Sequence, residues 1–193
     1  TKIKALGIIP DYVVYHRYEY GEGEENDDVL LQRSRTWAND IADLRQQLTD
    51  YLGLSGSAVE IQMNENNACY ADQGKQSTSV VNAMYYLDSL ASVLQTEVRS
   101  FVWWDWRNGV DNNGNNASTL YGWRNYGDLG MGRNATDQYP TYYAAKLMKS
   151  FARGGDASVY SATDNPFLAA YGARGKDGSL RVLLVGKRLS GNQ

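Results

Sequence analysis

One cysteine and one histidine narrow the chemistry open to this chain before any motif is read. Cys69 stands alone, so no disulfide can form within the chain and no thiolate metal cluster can be assembled from it. His16 stands alone too, which gives little support to a Ser-His-Asp triad or a multi-histidine zinc site and leaves carboxylates as the main acid-base resource. No run of about 18 apolar residues occurs, so nothing reads as a membrane span, and the start at Thr1 shows neither an initiator methionine nor a signal peptide, as a cut end would. A basic stripe is missing as well: the formal net charge of -3 argues against a nucleic-acid or anionic-membrane surface. Only three Phe stand against five Trp and 15 Tyr, an amphipathic aromatic set suited to a ligand, such as a sugar, that is packed against and hydrogen-bonded at once.

What is present centres on Val59-Glu60-Ile61-Gln62-Met63-Asn64-Glu65-Asn66-Asn67. Alternation over Val59, Ile61 and Met63 fits a short strand, and the polar run after it places Glu65 where strand gives way to loop. Asn64 and Asn66 on either side would supply amide donors that orient a carboxylate without adding charge. The competing reading of these residues is a surface loop carrying an ordinary solvated Glu.

Elsewhere the chain alternates strand and helix. Tyr12 to Tyr18 reads as a strand tipped by Tyr15, His16, Arg17 and Tyr18, and the acidic loop Glu19 to Asp28 reads as solvated. Leu30, Trp37, Ile41, Leu44, Leu48 and Tyr51 make the stripe of one helix closed near Gly53. Ser77 or Thr78 would cap a second, with Val80, Met84, Leu87, Ala91, Leu94 and Val98 as its packing stripe. Ser100 to Arg107 is a third strand, crowded at its end with Trp103, Trp104, Asp105 and Trp106. This order implies parallel strands with ligands at their carboxyl ends, so the three polar tips share one rim.

The stretch from Asn108 to Tyr139 shows no regular pattern. Its Asp111-Asn112-Asn113-Gly114-Asn115 segment lacks the glycine and distal Glu of a calcium loop where they are needed, so no metal or cofactor is expected. Pro140 opens a third helix with Tyr143, Leu147 and Phe151 on its stripe. Short antiparallel strands around Ser158–Ala162, Phe167–Ala173 and Leu180–Val185 follow, the last two joined by an Asp177-Gly178 turn.

In combination these residues resemble clan GH-A glycoside hydrolases of the arabinofuranosidase and endoglucanase-like kind. Asp11 to Tyr18 is similar to their sixth barrel strand, Met63-Asn64-Glu65-Asn66-Asn67 to the seventh with its nucleophile, and Val102 to Gly109 to the eighth. Tyr121-Gly122-Trp123-Arg124, and Pro140 to Leu147 leading into Phe151 to Asp156, resemble the passage from barrel to sandwich. The resemblance implies an α/β fold: a partial (β/α)8 TIM barrel (strands six to eight) over residues 1–153, then part of an antiparallel β-sandwich over 154–193.

It implies, further, a retaining glycoside hydrolase of plant-type polysaccharide or oligosaccharide, secreted or extracytoplasmic and bacterial in type, with Glu65 as nucleophile. Tyr15, His16, Tyr18, Asn64, Asn66, Trp103, Trp104, Asp105 and Trp123 would contact substrate. A non-catalytic carbohydrate-binding protein or scaffold is the alternative. In the family the acid/base is a Glu preceded by Asn after the fourth strand, and no such position exists here. Asp105 is the one companion carboxyl on the rim, and an ion pair with Arg107 or Arg124 would lower its pKa and spoil it as an acid. The expected partner is therefore the N-terminal half of the same enzyme, as a separate chain or a missing segment.

Overall fold

The computed structural model describes residues 2–21, 23–70, 74–107 and 129–188. After a short helix α1 (Lys2–Ala5), three strands form a parallel sheet in the order β1 (Tyr12–Tyr20), β2 (Glu60–Cys69), β3 (Phe101–Trp103). Between β1 and β2 run α2 (Asp27–Arg33) and α3 (Trp37–Leu52); between β2 and β3 runs α4 (Val80–Val93). Local chemistry sets these bounds. The Asn26 side chain accepts the Val29 N–H to start α2, with Asp27 and Asp28 in its first turn. Gly53 at φ 68 ends α3 in a conformation that side chains other than glycine adopt poorly.

The helix expected from Leu30 to Tyr51 is broken at a 3-10 turn, Ser34–Thr36. There the Arg17 Nη2 donates to the Arg33 carbonyl at 2.7 Å, so a tertiary partner claims an acceptor that an unbroken helix would use, and the Ser34 hydroxyl donates to Asp88. The cap of α4 is Ser79, whose hydroxyl accepts from Val81 and Asn82, rather than Ser77 or Thr78. Its expected stripe is rotated too. Val80 and Leu94 are exposed, while Val81, Asn82, Tyr85, Tyr86, Asp88 and Ser89 are buried. This helix is covered on most of its circumference, and it buries polar side chains that a hydrophobic stripe does not register.

Residues 129–138 also depart from the irregular loop expected, since β4 (Gly132–Asn134) and β5 (Asp137–Gln138) form a small hairpin. Asn134 closes it, its Oδ1 accepting from the backbone of Thr136 and Asp137. Helix α5 (Pro140–Phe151) then begins with proline in its first turn. It buries Thr141, Ala144, Met148 and Phe151, so Phe151 is where expected but Tyr143 and Leu147 face outward.

Strands β6 (Ala157–Val159), β7 (Leu168–Arg174) and β8 (Leu180–Gly186) form an antiparallel sheet, with Gly178 at φ 82 in the expected turn. The inner face of that sheet, Ala169, Tyr171, Ala173, Leu183 and Val185, shares one core with α4 and α5. Among the described residues, α3 and α4 cover the parallel sheet on one face. On its other face Tyr12, Val14 and Val102 are exposed. No helix among the described residues is long and apolar enough to cross a membrane.

Candidate active site

Which face a side chain takes follows from the period of two along a strand. In β1 the odd positions Val13, Tyr15 and Arg17 turn toward the helices, and the even positions Tyr12, Val14, His16 and Tyr18 turn to the open face. Val59, just before β2, and Ile61 and Met63 within it are buried against the helices, and unbroken alternation would bury position 65 with them. The register prevents this. Tyr15 pairs with Met63 but His16 with Glu65, and on the other side Met63 and Asn66 pair with Phe101 and Trp103. Strand β2 therefore holds one residue more than either neighbour around Asn64, and that bulge swings Glu65 to the open face and Asn66 inward. Nor does the strand end at Glu65; it runs on to Cys69.

On the open face the Tyr18 hydroxyl donates to Glu65 Oε2 at 2.8 Å, and His16 Nδ1 lies 3.6 Å from the same oxygen. Both contacts fall on one carboxylate oxygen, and Oε1 has no hydrogen-bond partner among the described residues. Burial, then the hydrogen bond to Glu65, push the Tyr18 phenol well up from its usual range, so it stays a donor. Asp105 is near enough to Tyr18 to add to that shift.

Its own carboxyl is raised by burial, with no arginine among the causes, and its Oδ1 has no hydrogen-bond partner among the described residues. The expected ion pair with Arg107, and the lowered pKa, are thus replaced by the opposite: a carboxyl held in its protonated form to higher pH. Arg124 and Trp123 lie outside the described residues.

Three of the expected substrate contacts are on the wrong side of the sheet. Tyr15 packs beside Trp37 and Met63, with its hydroxyl 3.5 Å from Asp40. Asn66 is fully buried, its Nδ2 donating to the Arg17 carbonyl at 2.8 Å and to the Tyr85 hydroxyl at 3.0 Å. Trp103 is 8% exposed and packs edge-on against Tyr86 at 5.0 Å. By contrast Trp104 is 43% exposed, and Asn64 is exposed beside Glu65.

Beneath the site lies a polar network that the sequence reading passed over. Arg17 Nε donates to Glu19 at 2.8 Å, Nη1 to Asp40 at 2.8 Å, and the guanidinium lies 4.3 Å above the Trp37 ring. Tyr85 donates to Glu19 at 2.7 Å and receives the Asn66 amide. The signal was available in the alternation of β1, which puts Arg17 and Glu19 on the buried face, where charges occur paired. The network ties β1, β2, α3 and α4 together directly behind Glu65, so the bulge is backed by satisfied hydrogen bonds rather than by apolar packing alone.

No family model and no curated protein sequence matches the chain. Solved structures do. A glucosidase from Croceicoccus marinus superposes with a TM-score of 0.63 at 17% identity, over 95% of this chain and 34% of that one. A GH51 arabinofuranosidase from Xanthomonas axonopodis pv. citri gives 0.61 at 15% identity, over 94% and 39%. A GH39 beta-xylosidase from Caulobacter crescentus gives 0.57 at 16%, over 91% and 33%. This chain thus spans about a third of the length of these neighbours. In fold it is similar to glycoside hydrolases of the GH39 and GH51 families, members of clan GH-A.

Proposed function

We propose that this chain is the nucleophile-bearing part of a retaining glycoside hydrolase that acts on plant-type polysaccharide or oligosaccharide. The observation that carries the reading is the placement of Glu65: a bulge delivers it to the open face of the sheet, where Tyr18 holds one carboxylate oxygen, with His16 3.6 Å from it, and the other oxygen is unengaged among the described residues. Oε1 attacks the anomeric carbon as the bond to the leaving-group oxygen breaks, that oxygen taking a proton from a second carboxyl group, and a glycosyl-enzyme ester forms. Water then cleaves that ester, helped by the same second carboxyl group. Tyr18 fixes the carboxylate, and Trp104 offers an apolar platform to the sugar ring.

Retaining chemistry needs the second carboxyl about 5 Å away. In this reading it comes from an N-terminal half of the barrel, which also covers the apolar residues exposed on the open face of the sheet. Residues 1–153 then complete the barrel and 154–193 belong to the sandwich. Expressed alone, the 193-residue chain should be insoluble or inactive, and co-expression with the N-terminal half should restore solubility and aryl-glycoside hydrolysis together. A soluble monomer that is fully active by itself refutes the split and makes Asp105 the first carboxyl to test as the acid. Retention on polysaccharide without turnover in the assembled protein favours a binding module instead.

The two neighbouring tryptophans should separate cleanly. Truncating the buried one, Trp103→Ala, should cost about 3–5 kcal/mol of stability. Trp104→Ala should change stability little and weaken oligosaccharide binding about tenfold, the scale of one lost aromatic anchor. Denaturation curves beside binding isotherms decide the matter, and equal thermal loss with unchanged binding makes both rings core.

A further inference from the structure

Two residues past Trp104, another tryptophan stands out from the surface: Trp106 is 68% exposed, although an indole ring gains from burial. It is not loose. Tyr142 meets it edge-on at 5.7 Å and 62°, and Tyr143 meets Tyr142 at 5.4 Å, so the aromatic ring is oriented yet left open to solvent.

Between Trp106, Tyr142 and the β4–β5 hairpin lies a cleft of about 300 Å³, floored by Met131 and edged by Arg107, Asn134 and Gln138. Its size is at the low end of small-molecule sites, and its make-up is theirs: an apolar body with a few polar groups at the edge. The polar groups have spare capacity. Asn134 commits Oδ1 to the hairpin backbone, which leaves its amide nitrogen; Gln138 commits its amide nitrogen to the Ala135 carbonyl, which leaves its oxygen. Donors from Arg107 and Asn134 and an acceptor from Gln138 match hydroxyl groups, which are both donors and acceptors.

The cleft is tied to the candidate active site by backbone. Met131 N–H donates to the carbonyls of Asp105 and Trp106 at 3.0 and 3.1 Å, and Asp105 N–H donates to Leu129 at 3.1 Å. Asn67 of β2, two residues after Glu65, donates to that same Leu129 carbonyl at 2.9 Å. Strand β2, which bears Glu65, and the segment after β3, which bears Trp104, thus carry the Trp106 cleft as one unit.

We infer that this cleft is an outer saccharide subsite, in which a sugar unit beyond the reacting one lies against Trp106 while its hydroxyls meet Arg107, Asn134 and Gln138. The inference rests on the glycoside hydrolase reading, and it gives that reading a preference for chains over short glycosides.

The test uses the protein assembled with its N-terminal half, or this chain if it is active alone, and compares the parent with Trp106→Ala and Gln138→Ala. Migration through native gels containing soluble xylan or β-glucan reads binding without turnover. Kinetics on an aryl glycoside and on the same polysaccharide read its use. Trp106→Ala should weaken retardation about tenfold. It should lower kcat/KM on polysaccharide by a similar factor and leave the aryl glycoside within about twofold; Gln138→Ala should shift both readouts in the same direction by less. Unchanged retardation, or equal loss on both substrates, overturns the subsite. Activity that survives Glu65→Gln overturns the nucleophile instead, and the gel arm still reports on Trp106.

Discussion

Glu65→Gln should abolish hydrolysis by several orders of magnitude while leaving the fold close to intact. A covalent nucleophile cannot be replaced by an amide of the same shape, and a thousandfold loss corresponds to about 4 kcal/mol of transition-state stabilisation. Folding should tolerate the change because Glu65 is partly exposed, and because an amide oxygen can still accept the Tyr18 hydroxyl that the carboxylate now accepts at 2.8 Å.

The same variant has a readout that needs no substrate. Burial raises the Tyr18 phenol first and the Glu65 carboxylate raises it further, so removing the charge should let Tyr18 ionise at lower pH than in the parent, though still above an ordinary tyrosine. Spectroscopic titration of tyrosinate against a Tyr18→Phe control measures this. Activity within about tenfold of the parent would remove Glu65 from the chemistry. A Tyr18 titration that does not move would remove the contact on which its orientation rests.

How these residues were legible differs from one strand to the next. The period of two in β1 separates His16 and Tyr18 from Tyr15 and Arg17 without ambiguity, and Tyr15 could have been assigned to the helix side on that ground. In β2 the same rule points the wrong way. Val59, Ile61 and Met63 set a phase that buries position 65, and only the extra residue near Asn64 reverses it. A bulge leaves no mark in composition, so the pattern points to Glu65 at a strand end although it sits inside a longer strand, and to Asn66 on the substrate side although it serves the core.

Helix α4 was harder for a related reason. Its stripe follows from aliphatic residues, yet Asn82, Asp88 and Ser89 are as buried as Ala91, and Asn82 and Asp88 have partners on other elements that a single sequence does not reveal. What came through best were features fixed by local chemistry, among them Pro140 at the start of α5 and Gly178 in the β7–β8 turn.

Breaking the buried Asp88–Lys187 pair should be the most destabilising polar change in the described part of the molecule. Lys187 follows β8, and Asp88 lies on α4. Their charged groups are in direct contact, with side chains 2% and 3% exposed. Lys187 also donates to the Ser34 hydroxyl at 3.1 Å, Ser34 donates to Asp88, and Tyr171 of β7 donates to Asp88 Oδ1 at 2.5 Å. The Tyr171 phenol is driven well above its usual range by burial first and the Asp88 charge second, so it stays protonated and donating. The cluster joins the antiparallel sheet to α4 and to the turn that splits α2 from α3.

Lys187→Met strands a carboxylate in the core, and Asp88→Leu strands an ammonium. Either should cost about 3–5 kcal/mol, or on the order of 6–20 °C in Tm for a chain of this size. Replacing Asp88, Lys187 and Ser34 together by Leu, Met and Ala removes both charges and the hydroxyl that depended on them. The triple variant should therefore be more stable than either single one, since exchanging a whole buried ion pair for apolar groups is close to neutral while halving it is not. Tyr171 keeps Ser92 at 2.7 Å and the Asp88 backbone carbonyl at 3.2 Å in that variant, so its hydroxyl remains satisfied. Denaturant unfolding of the parent and the three variants measures the difference. Single variants that each lose less than about 1 kcal/mol, the range of exposed ion pairs, would mean that water reaches the pair and that the sheet is held to α4 by its apolar face alone.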